Sequence, residues 1–183
     1  MEHYKFSVEG KQFKPCYIIY VIRVCAEDGR NFLYVGQTGD RNHITARPPF
    51  RRLAGHVEEL NKSTQNQLYK GILEKILKIE VGKDKKYTKD IKRKVAKFLE
   101  QSGIDMLVFS IMDFPESIES EIHKENVRHI ENIEKNVIEM LVGKLGGHAL
   151  LNKKLHKPDD DPKAKQIASE IFDQIKEELP NKI

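Results

Sequence analysis

The sequence predicts an α+β fold: a small, mainly antiparallel three-stranded central sheet flanked by helices. Three observations carry this reading. Residues 17–24 (YIIYVIRV) and 32–35 (FLYV) are almost wholly β-forming, and the turn cluster Glu27-Asp28-Gly29-Arg30 separates them, the pattern of a hairpin. Residues 104–112 supply a third, almost continuously apolar run. Elsewhere the apolar residues recur at spacings of three and four, the period of amphipathic helices.

Residues 1–15 read as a polar lead-in with a short edge strand at 4–8, ending at Pro15. The hairpin follows, and its register has two solutions. A two-residue Asp28-Gly29 turn sets Tyr34 opposite Arg23 and puts Tyr20 on the other face of the sheet, because side chains alternate with period two. A three-residue loop, Glu27-Asp28-Gly29 with Gly29 left-handed, sets Tyr34 opposite Ile22 and Tyr20 opposite Gly36. Both phenols then share one face, and Gly36 leaves space over Tyr20. Chemistry shared between the two tyrosines requires the second register.

Residues 37–49 form a loop, with turn chemistry at 38–42 and Arg47-Pro48-Pro49 unsuited to a helix interior. Residues 50–60 are helical, with Pro49 suited to the first turn. Leu53, Val57 and Leu60 form the apolar stripe of this helix, and Arg52, His56 and Glu59 the next stripe over. Residues 62–103 hold two further helices, marked by Leu68, Ile72, Leu73, Ile76 and Ile79 and by Ile91, Val95, Phe98 and Leu99, with a lysine-rich loop at 81–87. The near-continuous apolar character of 104–112 predicts a central strand. Helical sequence begins at Pro115-Glu116 and runs to Val142, where Gly143, Gly146 and Gly147 break it; His148 to Asn152 returns to the core. Residues 153–162 are a linker, and 163–178 an amphipathic helix with Ile167, Ile171, Phe172 and Ile175 on one face.

A chain of 183 residues can bury a full core. No apolar run approaches the ~20 residues of a membrane helix, and the first residues lack an apolar signal core, so the expected compartment is cytoplasmic. Cys16 and Cys25 are too few and too oddly spaced for a disulfide framework or zinc motif. The net charge of +4 is uneven: residues 83–97 carry a dense lysine and arginine run. Such a run suits a phosphate backbone and suits a solvated helix face equally well, so charge alone supports a nucleic-acid partner only weakly.

The polar residues set among apolar ones are more informative. Tyr20, Tyr34, Arg52 and His56 are groups that core packing does not ask for. Glu134 is a second anomaly: Ile130, Ile133, Val137, Ile138 and Leu141 define an apolar helix stripe and Glu134 falls inside it, with Glu131 at its margin. A buried, unpaired carboxylate costs several kcal/mol. Either a cation from Arg52 or a lysine compensates it, or a divalent metal does. Taken singly, each residue has an ordinary reading: strand tyrosines, a solvated Arg/His stripe, and a turn asparagine at Asn152. The remaining histidines show no metal-ligand spacing with cysteine.

Together and in order, these residues resemble the GIY-YIG endonucleases. Ile18-Ile19-Tyr20 stands at the first signature and Tyr34-Val35-Gly36 at the second. Residues 52–56 (RLAGH) look like the family's arginine- and histidine-bearing helix, 134–138 (EKNVI) are similar to its metal-binding helix, and Leu151-Asn152 looks like its closing asparagine. Ile18 departs from the glycine of the first signature, and the loop before Arg52 is long, which leaves Arg47 and Arg51 as alternatives. The resemblance implies a nuclease domain over residues 1–152 with a helical insertion at about 61–103, followed by a linker and helix over 153–183. It also implies hydrolysis of DNA phosphodiester bonds with one Mg²⁺ or Mn²⁺ held by Glu134. Arg52 would clamp the phosphate. Tyr20, assisted by His56, would activate water, with Tyr34 as the second phenol; the two tyrosine roles are interchangeable. Asn152 would brace the site. Cutting both strands would take two protomers or two encounters. A non-catalytic nucleic-acid-binding or adaptor protein on the same fold is the competing expectation.

Overall fold

The computed structural model describes residues 5–57, 67–80, 87–152 and 155–179. Residues 58–60 of the first expected helix and most of the lysine-rich loop lie outside them. β1 (Cys16–Cys25) and β2 (Asn31–Gln37) form the hairpin, and β3 (Gly103–Asp113) returns to pair with β1. The sheet is three-stranded, in the order β2-β1-β3, and antiparallel throughout. The helices are α1 (Pro49–Val57), α2 (Gln67–Gly71), which continues as a π-turn over Ile72–Ile76, α3 (Lys89–Glu100), α4 (Ser120–Leu145) and α5 (Pro162–Glu178).

The hairpin adopts the three-residue loop. Ala26 pairs with Arg30, the Gly29 amide donates to the Ala26 carbonyl, and Gly29 has φ +82°, a conformation that only glycine enters without strain. Ile22 therefore faces Tyr34, and Tyr20 faces Gly36.

Parity then divides the sheet into two cores. Odd positions (Tyr17, Ile19, Val21, Leu33 and Val35) pack with α4 and α5. Even positions (Ile18, Tyr20, Ile22, Phe32 and Tyr34) pack with Leu68, Tyr69, Ile72, Leu73 and Val95 from α2, the π-turn and α3. Helices over both faces explain why β1 has no polar alternation. It is the central strand, buried on both sides.

Residues 104–112, expected at the centre, instead form the sheet edge. β3 has no buried position, only exposed and half-buried ones, and among the described residues its outer side has no strand partner. Its apolar run is matched by incomplete cover, with Asp105 and Asp113 turned to Arg23 and Lys14 at the rim.

The expected strand at 4–8 is also absent from its described part. Residues 5–8 are irregular and Gly10–Phe13 forms a 3-10 turn. The outer edge of β2 that such a strand could join is taken by residues 149–152: the Leu33 amide donates to the Ala149 carbonyl, and the Leu151 amide to the Leu33 carbonyl at 2.7 Å. α4 begins at Ser120, later than expected, because Phe114 first packs on Tyr17 with ring centroids 5.4 Å apart. The helix runs through Gly143 and ends where Gly146 takes φ +77°. An exposed glycine inside a helix costs only about 1 kcal/mol, too little to break one anchored at both ends.

The C-terminal segment is bound closely to α4. Asn132 exchanges two hydrogen bonds with the Asp159 backbone, at 2.7 and 3.2 Å, and Lys135 pairs with the Asp159 carboxylate. Asp161 caps α5, accepting from the Lys163 and Ala164 amides, with Pro162 at the first position. Among the described residues no helix is long and apolar enough to cross a membrane.

Candidate functional site

The hairpin register brings Tyr20 and Tyr34 to one face, with ring centroids 6.3 Å apart. Gly36 is what admits Tyr20. A Cβ at position 36 would collide with the phenol oxygen and Cζ of Tyr20, so any larger residue would displace the ring.

α1 crosses above this pair. Its one-turn spacing turns Arg52 and His56 inward together. The Tyr20 hydroxyl lies 2.8 Å from Nε2 of His56, and the His56 ring stands edge-on to Tyr34 at 4.9 Å. Arg52 sits with Cζ 5.7 Å from the Tyr20 ring centroid, a cation–π arrangement. Its Nη2 donates to the Gln37 carbonyl at 2.7 Å, and its Nε is buried with no hydrogen-bond partner. Arg47 and Arg51, the alternatives for the phosphate clamp, are both exposed.

Glu134 approaches from α4. Its charge acts on both phenols, and the charge of Arg52 acts on it in turn. Burial, reinforced by the charge of neighbouring Glu131, raises its carboxyl from an ordinary 4.5 to about 8, against the pull of Arg52 and Lys135. Among the described residues Glu134 makes no hydrogen bond or ion pair. Glu131 differs: the Arg41 guanidinium grips it through two nitrogens. The compensation expected for a carboxylate on this stripe therefore falls to Glu131 and leaves Glu134 without a direct partner.

The phenols respond to the same surroundings. Burial pushes Tyr20 up to about 12; Arg52 draws it down and Glu134 pushes it further up. Burial, then the charges of Tyr20 and Glu134, likewise hold Tyr34 well above the ordinary range for a phenol. Neither hydroxyl ionises by itself near neutrality.

Asn152 contributes indirectly. Its Oδ1 accepts from the Val35 amide at 2.9 Å and its Nδ2 donates to the Val35 carbonyl at 2.8 Å. The side chain thus imitates a peptide group and continues the pairing of β2 between Tyr34 and Gly36.

Several supporting groups carried no signal in the sequence reading. The Gln37 carbonyl orients Arg52. Thr38 clips the start of β1, donating to the Cys16 carbonyl and accepting from the Ile18 amide. Lys75 donates to the carbonyls of Gly147, Leu150 and Asn152. On the opposite face of the sheet, Tyr17 is 2.7 Å from Nδ1 of buried His123, whose Nε2 is 2.9 Å from the Asp40 carbonyl. Tyr17 therefore belongs to the other core and stands apart from Tyr20.

A divalent metal would have to be held by few protein groups, since among the described residues no cluster of three or more His, Cys, Asp or Glu side chains has metal-binding geometry. Mg²⁺ is compatible with this, because it is commonly bound by one or two carboxylates with water and substrate phosphate completing the shell. The unpartnered, half-buried Glu134 fits that role. Comparison of the chain with protein-family models, curated proteins and solved structures found no match.

Proposed function

We propose that this chain is a metal-dependent endonuclease of the GIY-YIG type, hydrolysing DNA phosphodiester bonds. The observation that carries the proposal is one convergence. A hydrogen-bonded Tyr20–His56 pair faces an arginine with an unused buried donor, and a carboxylate that lacks a direct protein partner lies close enough to influence both.

Arg52 binds the phosphate through Nε and its remaining guanidinium donors, while the Gln37 carbonyl and the Tyr20 ring hold the fork in orientation. The same contact stabilises negative charge as it develops on the phosphoryl oxygens. Tyr20 donates to Nε2 of a neutral His56, leaving the phenol oxygen able to accept a proton from water. Because the phenol is held near 12, it relays that proton to His56 without persisting as a free phenolate. Tyr34 limits the movement of both rings and hydrogen-bonds the water or phosphate. Glu134 would hold Mg²⁺ or Mn²⁺. The chemistry supplied by the metal when bound is polarisation of the scissile phosphate and cancellation of the Glu134 charge that opposes Tyr20.

Supercoiled plasmid incubated with the protein and Mg²⁺ or Mn²⁺ is expected to be nicked, and EDTA is expected to stop the reaction. Absence of nicking across both metals and several DNA substrates, with DNA binding retained, would replace this reading with that of a non-catalytic adaptor.

A further inference from the structure

α3 carries the second concentration of chemistry in the chain. Lys89, Lys92, Arg93 and Ala96 recur at i, i+3, i+4 and i+7, so they form one stripe of the helix. That stripe borders a cavity of about 300 Å³ whose other walls include Val57, Val95 and Leu99. Val95 is buried and Val57 and Leu99 are half-buried, whereas Lys89 and Arg93 are exposed. The cavity thus has an apolar base and a cationic mouth.

Its position matters as much as its charge. Val57 directly follows His56 in α1, and Val95 belongs to the same core as Tyr20 and Tyr34. The cavity thus adjoins the helix that carries Arg52 and His56, on the face of the sheet that holds the two tyrosines. Cations around an apolar base are poorly matched to a hydrophobic peptide and well matched to a phosphodiester whose sugar rests on that base. Beside the stripe, Asp90 is paired with Arg93 at 2.9 Å and Lys94 at 3.3 Å. All three side chains are solvent-exposed, so these pairs hold little energy and yield readily to a phosphate.

We propose that the α3 cavity is a phosphate-binding subsite for the DNA strand entering the Tyr20–His56 site, holding a phosphodiester that flanks the scissile one. This deepens the nuclease reading and rests on it. The test uses the full chain in EDTA, with fluorescence anisotropy of a labelled DNA duplex followed across salt concentrations. The Lys89→Ala/Arg93→Ala double variant alters exposed side chains only. It is expected to lower the slope of log affinity against log salt by about 0.9, the value for one lost phosphate contact. The Lys144→Ala/Lys165→Ala variant, matched in charge and placed on α4 and α5, keeps the slope of the unmodified protein. Ala96→Phe, at an exposed position on the cavity stripe, fills the cavity without changing charge and is expected to lose affinity, its fold checked by thermal melting.

Equal effects from the two double variants overturn the proposal, because they would indicate a diffuse charge effect. An unaltered affinity in Ala96→Phe, or displacement by polyglutamate as effective as by unlabelled DNA, also overturns it. So does failure of the unmodified chain to bind DNA. Binding is read in EDTA, so loss of the subsite and loss of the nuclease activity are separate results. A chain that binds DNA with the expected slopes but never nicks plasmid retains the subsite and loses the enzyme.

Discussion

Replacing Glu134 with glutamine should remove activity and, in the metal-free protein, increase stability at alkaline pH. The Glu134 carboxyl titrates at about 8 in the folded chain against an ordinary 4.5. Between those values the native state holds a proton that the unfolded state has released, so unfolding free energy falls as pH rises. The gap is 8 − 4.5, about 3.5 pH units, equivalent to about 5 kcal/mol at 1.36 kcal/mol per unit. Partial exposure of the side chain lets solvent screen the charge and brings the expected difference to about 2–3 kcal/mol. Wild type and Glu134→Gln should therefore melt together below pH 4.5. They should diverge as pH rises and keep a constant gap above pH 8, where the variant melts about 4–12 °C higher. Reading the two proteins as a difference cancels the titration of every other group. Added Mg²⁺ should raise the wild-type melting temperature at alkaline pH and leave the variant unmoved. Parallel melting curves at every pH, or a variant that is less stable at alkaline pH, would refute the account of Glu134 as a carboxylate lacking compensation.

Four further outcomes are expected. Arg52→Ala should reduce the nicking rate by about 10²–10³, with Arg51→Ala and Arg47→Ala close to wild type; a larger loss at Arg47 would move the phosphate clamp into the loop. Gly36→Ala should cost about 1–3 kcal/mol in urea unfolding and reduce activity, because the added Cβ displaces the Tyr20 phenol. Asn152→Ala leaves the Val35 amide and carbonyl unpaired and should destabilise by about 2–4 kcal/mol; rescue of activity on cooling would separate this bracing role from a chemical one. Gly29→Val forces a β-branched residue to a positive φ, at about 1–2 kcal/mol, and should lower activity through the hairpin register even though the turn lies away from the tyrosines.

The hairpin was legible in the sequence because it depends on local facts, a turn cluster between two β-forming runs and a period of two; the same facts left two registers open, and the pairing of Ala26 with Arg30 decides between them. The Arg52–His56 pair was legible for the same reason, as one helical turn separates them. Glu134 could be recognised as anomalous among the isoleucines of α4, but its freedom from a direct partner could not, since that depends on Arg41 pairing with Glu131, 90 residues away in sequence. Strand order was misread for a related reason. Continuous apolar sequence marks both a strand covered on two faces and an edge strand with partial cover, and only the placement of residues 149–152 and of the helices distinguishes β1 from β3. Thr38 and Lys75 were invisible because both act on backbone carbonyls, which every residue possesses.

Lys75 also offers a means of observing the layer that covers the two tyrosines. Its ammonium donates to three carbonyls of the 147–152 segment, so an amine of the kind that acylating reagents attack is held by three hydrogen bonds. Burial lowers its proton affinity, which would favour attack by an acylating reagent, while the three bonds oppose it. Acylation at this one lysine should therefore quicken when the π-turn separates from the 147–152 segment. The rate of label incorporation at Lys75, compared with an exposed lysine such as Lys144, becomes a clock for opening above the candidate active site.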